Sequence, residues 1–478
     1  MVFDRQSFAI SAVTLLRDAS NTLRSFFGTN ILTMSWAFSI LGAALGPTAT
    51  IFCAFVVYRA TLSLIRVKQS LPGHATIVSY GAVVSAIGGG WMRVVVDCLV
   101  MFTQFATCVS YTAFSSKNLH NISHLDYGYC IIILVTIVCG ISMFHNPYML
   151  AKISIVTNLM MFTGIGVVLT TIDCKEKDAV SLALPAGLPI GLASLSSSLG
   201  GITTVLDVER TMTDRPGRYL RLLRVVLPLA VIFLATVGTV GYLTFGAQTC
   251  SVLSLSLHEG SWQQKVANTV LTIGPSLEGV LNSFPLFVLT ERYACKTKAI
   301  KNWSTRHPYL FLAIHRIVGF ACAAGIAFGV PFFGYITSIN GAVGYASLSF
   351  LVPVVCEVLR SRTSSFDNLH REIEENEEIH NRSITNPPPL LSDIQNASKP
   401  VFDDVNPSFG HPSNDPATLS ADQKAEAIEH LRYNLSGPRK LELLFIFVFG
   451  VFVVVAGTVS AVKDIADSLS GTSNATSC

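Results

Sequence analysis

Runs of apolar residues long enough to cross a lipid bilayer constrain this chain more than any other feature. A spanning helix needs about 20 predominantly apolar residues, and inside lipid only helices or closed barrels satisfy their own backbone. Eleven runs can be read, with cores near 25–42, 45–66, 92–116, 128–145, 149–172, 187–207, 222–246, 264–290, 309–332, 335–358 and 441–463. Only 13% of the 478 residues are charged, against roughly 25% in a soluble domain. The expectation is an all-α polytopic membrane protein of about eleven transmembrane helices. Its N-terminus, MVFDRQSFAISAVTLLRDAS, carries Asp4 and Asp18 and does not read as a secretory signal.

Basic residues orient the spans. Of 33 Lys and Arg, 26 fall in inner segments when the N-terminus is placed inside. Five fall in outer loops or at their edges (Lys117, Lys175, Lys177, Lys265, Lys463), and Arg59 and Arg316 lie within spans. Cytoplasmic loops carry the excess of Lys and Arg, so the N-terminus is expected in the cytoplasm and the C-terminus outside. The expected organisation is a cytoplasmic segment over 1–24, a ten-helix core over 25–359, a cytoplasmic loop over 360–440, a last helix over 441–463 and an external tail over 464–478. The loop is polar through 360–438, with NPPP at 386–389 and the acidic run REIEENEEIHNR at 371–382. Low hydrophobicity with high charge marks it as disordered. A short surface helix could form over 421–434. The loop either serves a cytoplasmic partner or is a tolerated insertion. On the outer side, the sequons at Asn121 and Asn474 are candidate glycosylation sites. Cys174 and Cys250 could form a disulfide if that face is oxidising. The alternative is two unrelated thiols.

No HExxH, GxSxG or P-loop motif appears, so the sequence points away from an enzyme. The eleven Cys show no zinc spacing, there is no basic nucleic-acid patch, and no metal or cofactor is expected. The informative features are polar breaks and charges inside apolar spans. FFGTNILTMS (26–35) places Gly28, Thr29 and Asn30 where the first spanning helix should begin. GLASLSSSLGGITTVLD (191–207) makes the sixth span the least apolar. If spans one to five (about 25–172) and six to ten (about 187–359) are inverted repeats, the two breaks occupy equivalent positions. Paired interruptions of this kind point to a transporter's binding site. An unwound stretch exposes amide and carbonyl groups that lipid cannot satisfy, but a zwitterionic solute can. Small residues could instead serve helix packing.

Charges inside spans need a partner or a function. Candidates are Arg59, Asp97, Glu278, His315, Arg316 and Glu357. Arg93 lies four residues before Asp97, so the two share a helix face and can pair, while Asp97 stands with Glu278 as a candidate for coupling a proton. Glu278, in IGPSLEGVLNSFP, has no local partner. It could carry a proton, or pair with Arg59 or Arg316 across the bundle. Arg59, Arg316 and Glu357 lie near inner ends and could snorkel to the interface.

GTNILTMSWAFSILGAALGP (28–47) resembles the first-span signature of the amino acid/auxin permease family. SYGAVVSAIGGGWMRVVVDCLVMFTQFATCVSYTAFSSKNL (79–119) is similar to the third-span region of its proton-coupled amino acid transporters. TTVLDVERTM (203–212) and INGAVGYASLSFLVPVVCEVL (339–359) resemble the end of their sixth span and their tenth span. The resemblance implies an eleven-helix fold: two inverted five-helix repeats, as in the APC superfamily, plus one helix. It implies alternating-access transport of a neutral amino acid with a proton, in a plasma, vacuolar or lysosomal membrane. It places Gly28 and Thr29, with Asn30 beside them, at the solute in span one, and Ser197, Ser198, Gly200 and Gly201 around it in span six. Asn30, Ser35, Gly200 and Arg59 depart from the family pattern. The alternatives are an amino-acid receptor on the same fold and an uncoupled facilitator.

Overall fold

The structure is a computed structural model. It describes residues 29–71, 79–143, 147–170, 180–210, 217–246, 249–256, 261–330, 333–362 and 436–470, with isolated positions at 15, 18, 19, 22, 23, 26, 77 and 212. Among the described residues there is no β-strand. A 3-10 turn, Thr29–Thr33, leads into α1 (Met34–Leu41). There follow α2 (Leu45–Gln69), α3 (Tyr80–Ser123), α4 (Tyr127–Ser142) and α5 (Pro147–Thr170). Next come α6 (Leu188–Ser198), α7 (Ile202–Arg210), α8 (Arg218–Phe245) and α9 (Trp262–Ala294). A surface helix, α10 (Lys298–Arg306), precedes α11 (Pro308–Gly329). Then α12 (Phe333–Ile339) passes through a π-helical stretch, Asn340–Leu351, into α13 (Val352–Arg362). The last helix is α14 (Gly437–Leu469). The short helix expected at 421–434 lies outside the described residues, as does most of the 360–440 loop.

Among the described residues, six helices are long and apolar enough to cross a membrane: Leu45–Gln69, Tyr80–Ser123, Arg218–Phe245, Pro308–Gly329, Phe333–Ser361 and Gly437–Ser468. Their outward faces are apolar. On α8, Val225, Leu229 and Ile232 are exposed at helical spacing, and on α14 Leu444, Val448, Val455, Val459 and Val462 are exposed likewise. Contiguous apolar exposure on this scale marks a surface made for lipid. α9 is long but polar on its buried face, where Gln264, Asn268, Thr272, Glu278 and Ser283 point inward. It packs along α3 and α5.

The helix expected near 92 begins at Tyr80 and turns sharply at Gly89, whose φ of 78° suits glycine. In a straight helix Gly81 and Asp97 would stand about 24 Å apart. Here Gly81 lies against the Asp97 carboxylate, so the first two turns fold back.

Two short helices, α1 and α6, lie inside the bundle. α6 is wrapped by α1, α12, the π-helical stretch and α14, and Ile190 through Ser198 are all buried. The chain leading into α6 pairs with the end of α1 through three backbone hydrogen bonds. Ala43 donates to Ser181 (3.0 Å), Ala44 to Leu182 (2.9 Å), and Leu184 to Leu41 (2.7 Å). Gly42, at φ 97°, makes the turn that allows them.

Candidate functional site

α6 ends at Ser198 and α7 begins at Ile202, so Gly200 and Gly201 lie between two helices. Within that gap Gly200 N–H donates to Ser197 O at 3.4 Å and Gly201 N–H to Leu199 O at 2.9 Å. Neither glycine has a positive φ. What Gly200 allows is close approach: a Cβ there would stand 2.6 Å from Cγ of Tyr345 and overlap the ring. Gly341 plays the same part lower on α6, where a Cβ would strike the Ala193 carbonyl and come within 3.1 Å of Ser197 N. The π-helical stretch therefore lies directly on the α6 backbone and its end.

The serines behave differently from the glycines. Ser196 Oγ donates to Leu192 O (2.8 Å), Ser197 Oγ to Ser194 O (3.0 Å) and Ser198 Oγ to Ser194 O (3.3 Å). Such back-bonding spends the hydroxyls on the helix's own carbonyls. Tyr345, which lies against Gly200, and the polar residues it connects to on the π-helical stretch and α3 were not singled out in the sequence. Asn340 Nδ2 donates to Thr107 Oγ1 (3.0 Å) and to Thr103 O (3.3 Å). The Tyr345 hydroxyl is 3.5 Å from Thr107 Oγ1. Asn340 Oδ1, Thr337 Oγ1 and Ser194 Oγ are buried with no hydrogen-bond partner among the described residues. An unsatisfied buried polar atom costs about 1–3 kcal/mol. GAVGYAS at 341–347 was the one signal available, since paired small residues let a helix lie close on a backbone.

In span one, Gly28 lies outside the described residues. Thr29 and Asn30 open the 3-10 turn that feeds α1, and their side chains are likewise outside the description. Ser35 is buried on α1, and its hydroxyl donates to Val237 O of α8 at 3.1 Å.

The ionisable candidates separate. Asp97 accepts from the Tyr293 hydroxyl (2.8 Å) and stands 3.6 Å from Arg93 Nε. That is the same-face pairing expected, supplemented from α9. Glu278 is 5% exposed on α9. The next residue, Gly279, faces Tyr111, and its carbonyl accepts from Cys108 Sγ. A small cleft lined by Cys108, Tyr111, Ser115, Ser276, Gly279 and Phe320 adjoins this part of α9. It has room for on the order of one water and touches neither α1 nor α6.

Three charges expected to snorkel are instead held by partners. Glu357 is buried at 1% exposure and accepts from Arg439 Nε (2.9 Å) and Nη2 (2.7 Å), and from Ser63. Arg59 pairs with Glu442 rather than Glu278, with Nη2 to Oε2 at 2.6 Å, and Arg439 also reaches Glu442 at 2.7 Å. Arg316 is 2% exposed, donates to Ser142 O and lies 4.9 Å over the Phe287 ring. The partners on α14 are nearly four hundred residues from α2 in the chain, which is why local reading missed them.

Cys250 is disulfide-bonded, while the other described cysteines, Cys53, Cys98, Cys108, Cys130, Cys139, Cys295, Cys322 and Cys356, are free. Cys174 and Asn474 lie outside the described residues. Asn121 was expected in a loop but occupies the last turn of α3, because the helix runs past its apolar core to Ser123 before His124 caps it in the left-handed region. Among the described residues no group of His, Cys, Asp and Glu could hold a metal ion.

Lipid-facing helices around a buried, interrupted and polar-lined one define an integral membrane protein with a polar centre. The chain belongs to the family described as transmembrane amino acid transporter protein, whose sequence model matches residues 12–371. It is 26% identical over 370 residues to the amino acid transporter ANT1 of Arabidopsis thaliana, covering 71% of this chain and 83% of that one. It is 24% identical over 373 residues to the proton-coupled amino acid transporter-like protein pathetic of Drosophila melanogaster, covering 73% and 77%. Vacuolar amino acid transporter 4 of Saccharomyces cerevisiae matches at 24% over 286 residues, covering 56% of this chain and 39% of that one. A manganese transporter from Eremococcus coleocola covers 96% of both chains at 10% identity and a TM-score of 0.47, too low to carry an argument. The family and its relatives are transporters, not enzymes.

Proposed function

We propose that this protein is a secondary transporter that carries a neutral amino acid together with a proton by alternating access. The observation that carries the reading is the gap at Leu199–Gly201, where a buried helix stops against Tyr345 of the π-helical stretch. Half-helix ends suit a carboxylate and free carbonyls suit an ammonium. The solute sits among Gly28, Thr29 and Asn30 of span one and Ser197, Ser198, Gly200 and Gly201 of span six. The glycine backbones supply the contacts, and the serines shape the helix end that presents them.

The full architecture proposed is eleven spans, with two inverted repeats over about 25–172 and 187–359 and a cytoplasmic N-terminus. Glu278 is the proton carrier, buried on α9 beside Gly279, which packs against Cys108 and Tyr111 of α3. Asp97, tied to Arg93 and Tyr293, serves structure. On the outer face Cys250 pairs with Cys174, and Asn121 and Asn474 accept glycans. The membrane is the plasma membrane or a vacuolar one, and the 360–438 loop is the surface for any cytoplasmic partner.

The test is uptake of labelled neutral amino acids into proteoliposomes of the purified protein, with and without an inward proton gradient. At 100 mV one proton supplies about 2.3 kcal/mol, roughly fifty-fold accumulation. Accumulation only with the gradient is expected. Equilibration without accumulation would leave a facilitator, and binding without flux would leave a receptor.

A further inference from the structure

We propose that Tyr345 sets the size of the solute this site admits, its ring filling the space against Gly200 that a larger solute would need. The inference rests on the site proposed above and adds a residue to it. Three observations carry it.

The first is the reason for Gly200. Its φ is not positive, so no turn requires glycine there. A Cβ would instead overlap ring carbons of Tyr345, with Cγ at 2.6 Å. The missing side chain is the ring's space, and the ring lies on the very backbone assigned to the solute.

The second is how the ring is held. Tyr345 is buried at 9% exposure. Among the described residues its hydroxyl reaches only Thr107 Oγ1, at 3.5 Å, beyond the usual 2.5–3.0 Å of such a bond. Thr107 is already engaged, donating to Thr103 O at 2.7 Å and accepting from Asn340 Nδ2 at 3.0 Å. Packing, not the phenol, fixes the ring, so its volume is what the site feels.

The third is the backbone that carries it. Tyr345 sits within the π-helical stretch Asn340–Leu351. Such wide turns are rare in helices and concentrate at functional sites. Gly341 and Gly344 leave that stretch without side chains toward α6 and α3, so Tyr345 is the bulky group it presents to the gap.

The experiment measures reconstituted uptake of labelled glycine, leucine and phenylalanine from an equimolar mixture. Tyr345→Ala should raise the phenylalanine-to-glycine uptake ratio about tenfold or more, the scale on which pocket volume discriminates side chains. Tyr345→Leu should raise it less, and Tyr345→Phe, which keeps the ring, should keep the ratio. Gly200→Ala should abolish uptake, and adding Tyr345→Ala to it should restore part, because the overlapping ring is gone. An unchanged ratio in Tyr345→Ala and Tyr345→Leu overturns the inference, and Tyr345→Leu alone decides if the alanine variant fails to reach the membrane. Full uptake by Gly200→Ala would overturn the site itself. Loss in Gly200→Ala with no change of ratio at Tyr345 would overturn only the role of the ring.

Discussion

α6 and α14 are both helices of a membrane protein, and almost everything else about them differs. α14 runs over Gly437–Leu469 and turns Leu444, Val448, Val455, Val459 and Val462 outward. α6 has eleven residues, keeps Ile190 through Ser198 buried, and stops at a pair of glycines. The outer helix is held by lipid on one side and protein on the other, and its sequence needs only to be apolar there. The inner one has protein on every side, so each residue answers to a specific neighbour: Gly191 to Leu41, Gly200 to Tyr345, and Ala193 to Gly341. The lesson is that tolerance should rise from the centre of this molecule outward, and four substitutions would break or sharpen that gradient.

The largest effect is expected at the centre. Gly200→Ala should reduce reconstituted uptake to background while the protein still elutes as a single species in detergent. Wild-type uptake would show that the gap has room and that the contrast with α14 is empty. Next is Glu278→Gln, which should remove gradient-driven accumulation, from roughly fifty-fold to none, while exchange of preloaded solute persists. Retained accumulation would move the proton elsewhere. Third is the ion-pair cluster that fastens α14 to α2 and α13. Removing one partner from a buried pair costs about 3–5 kcal/mol, so Glu357→Gln should lower the melting temperature of the purified protein by several degrees. An unchanged melting curve would mean that the cluster is solvated. The smallest effect belongs to the lipid face. Val455→Leu should change stability by less than about 0.5 kcal/mol and leave uptake at wild type. A large loss there would reveal that α14 is covered by protein rather than lipid.

The same gradient governs what could be read from sequence. α8 and α14 were legible because lipid exposure demands only an apolar face, and composition reports it directly. The gap after Ser198 was visible as GLASLSSSLGG because glycine and serine are conspicuous in a span. The roles within the gap were not legible. Ser197 and Ser198 look like ligands, and their hydroxyl protons go to Ser194 O while their oxygens keep lone pairs to accept with. Tyr345 looks like an ordinary aromatic until Gly200 is placed under it. The turn at Gly89 was hidden because a run of three glycines reads equally well as packing. Glu357 looked like a snorkelling residue because Arg439 reaches it from beyond a loop whose length says nothing of where it returns. Short-range pattern decides which segments are helices, but tertiary neighbours decide what a buried polar side chain does.

The three backbone bonds between the end of α1 and the chain entering α6 have a mechanical meaning. Separating Leu41, Ala43 and Ala44 from Ser181, Leu182 and Leu184 would break three main-chain hydrogen bonds, each worth about 0.5–1.5 kcal/mol net of the bonds water would make in their place. The end of α1 and the chain entering α6 are therefore joined through the main chain. The join is made by main chain alone, so it is indifferent to the side chains around it, and only a residue without an N–H, a proline at Ala43, Ala44 or Leu184, would take a bond out of it.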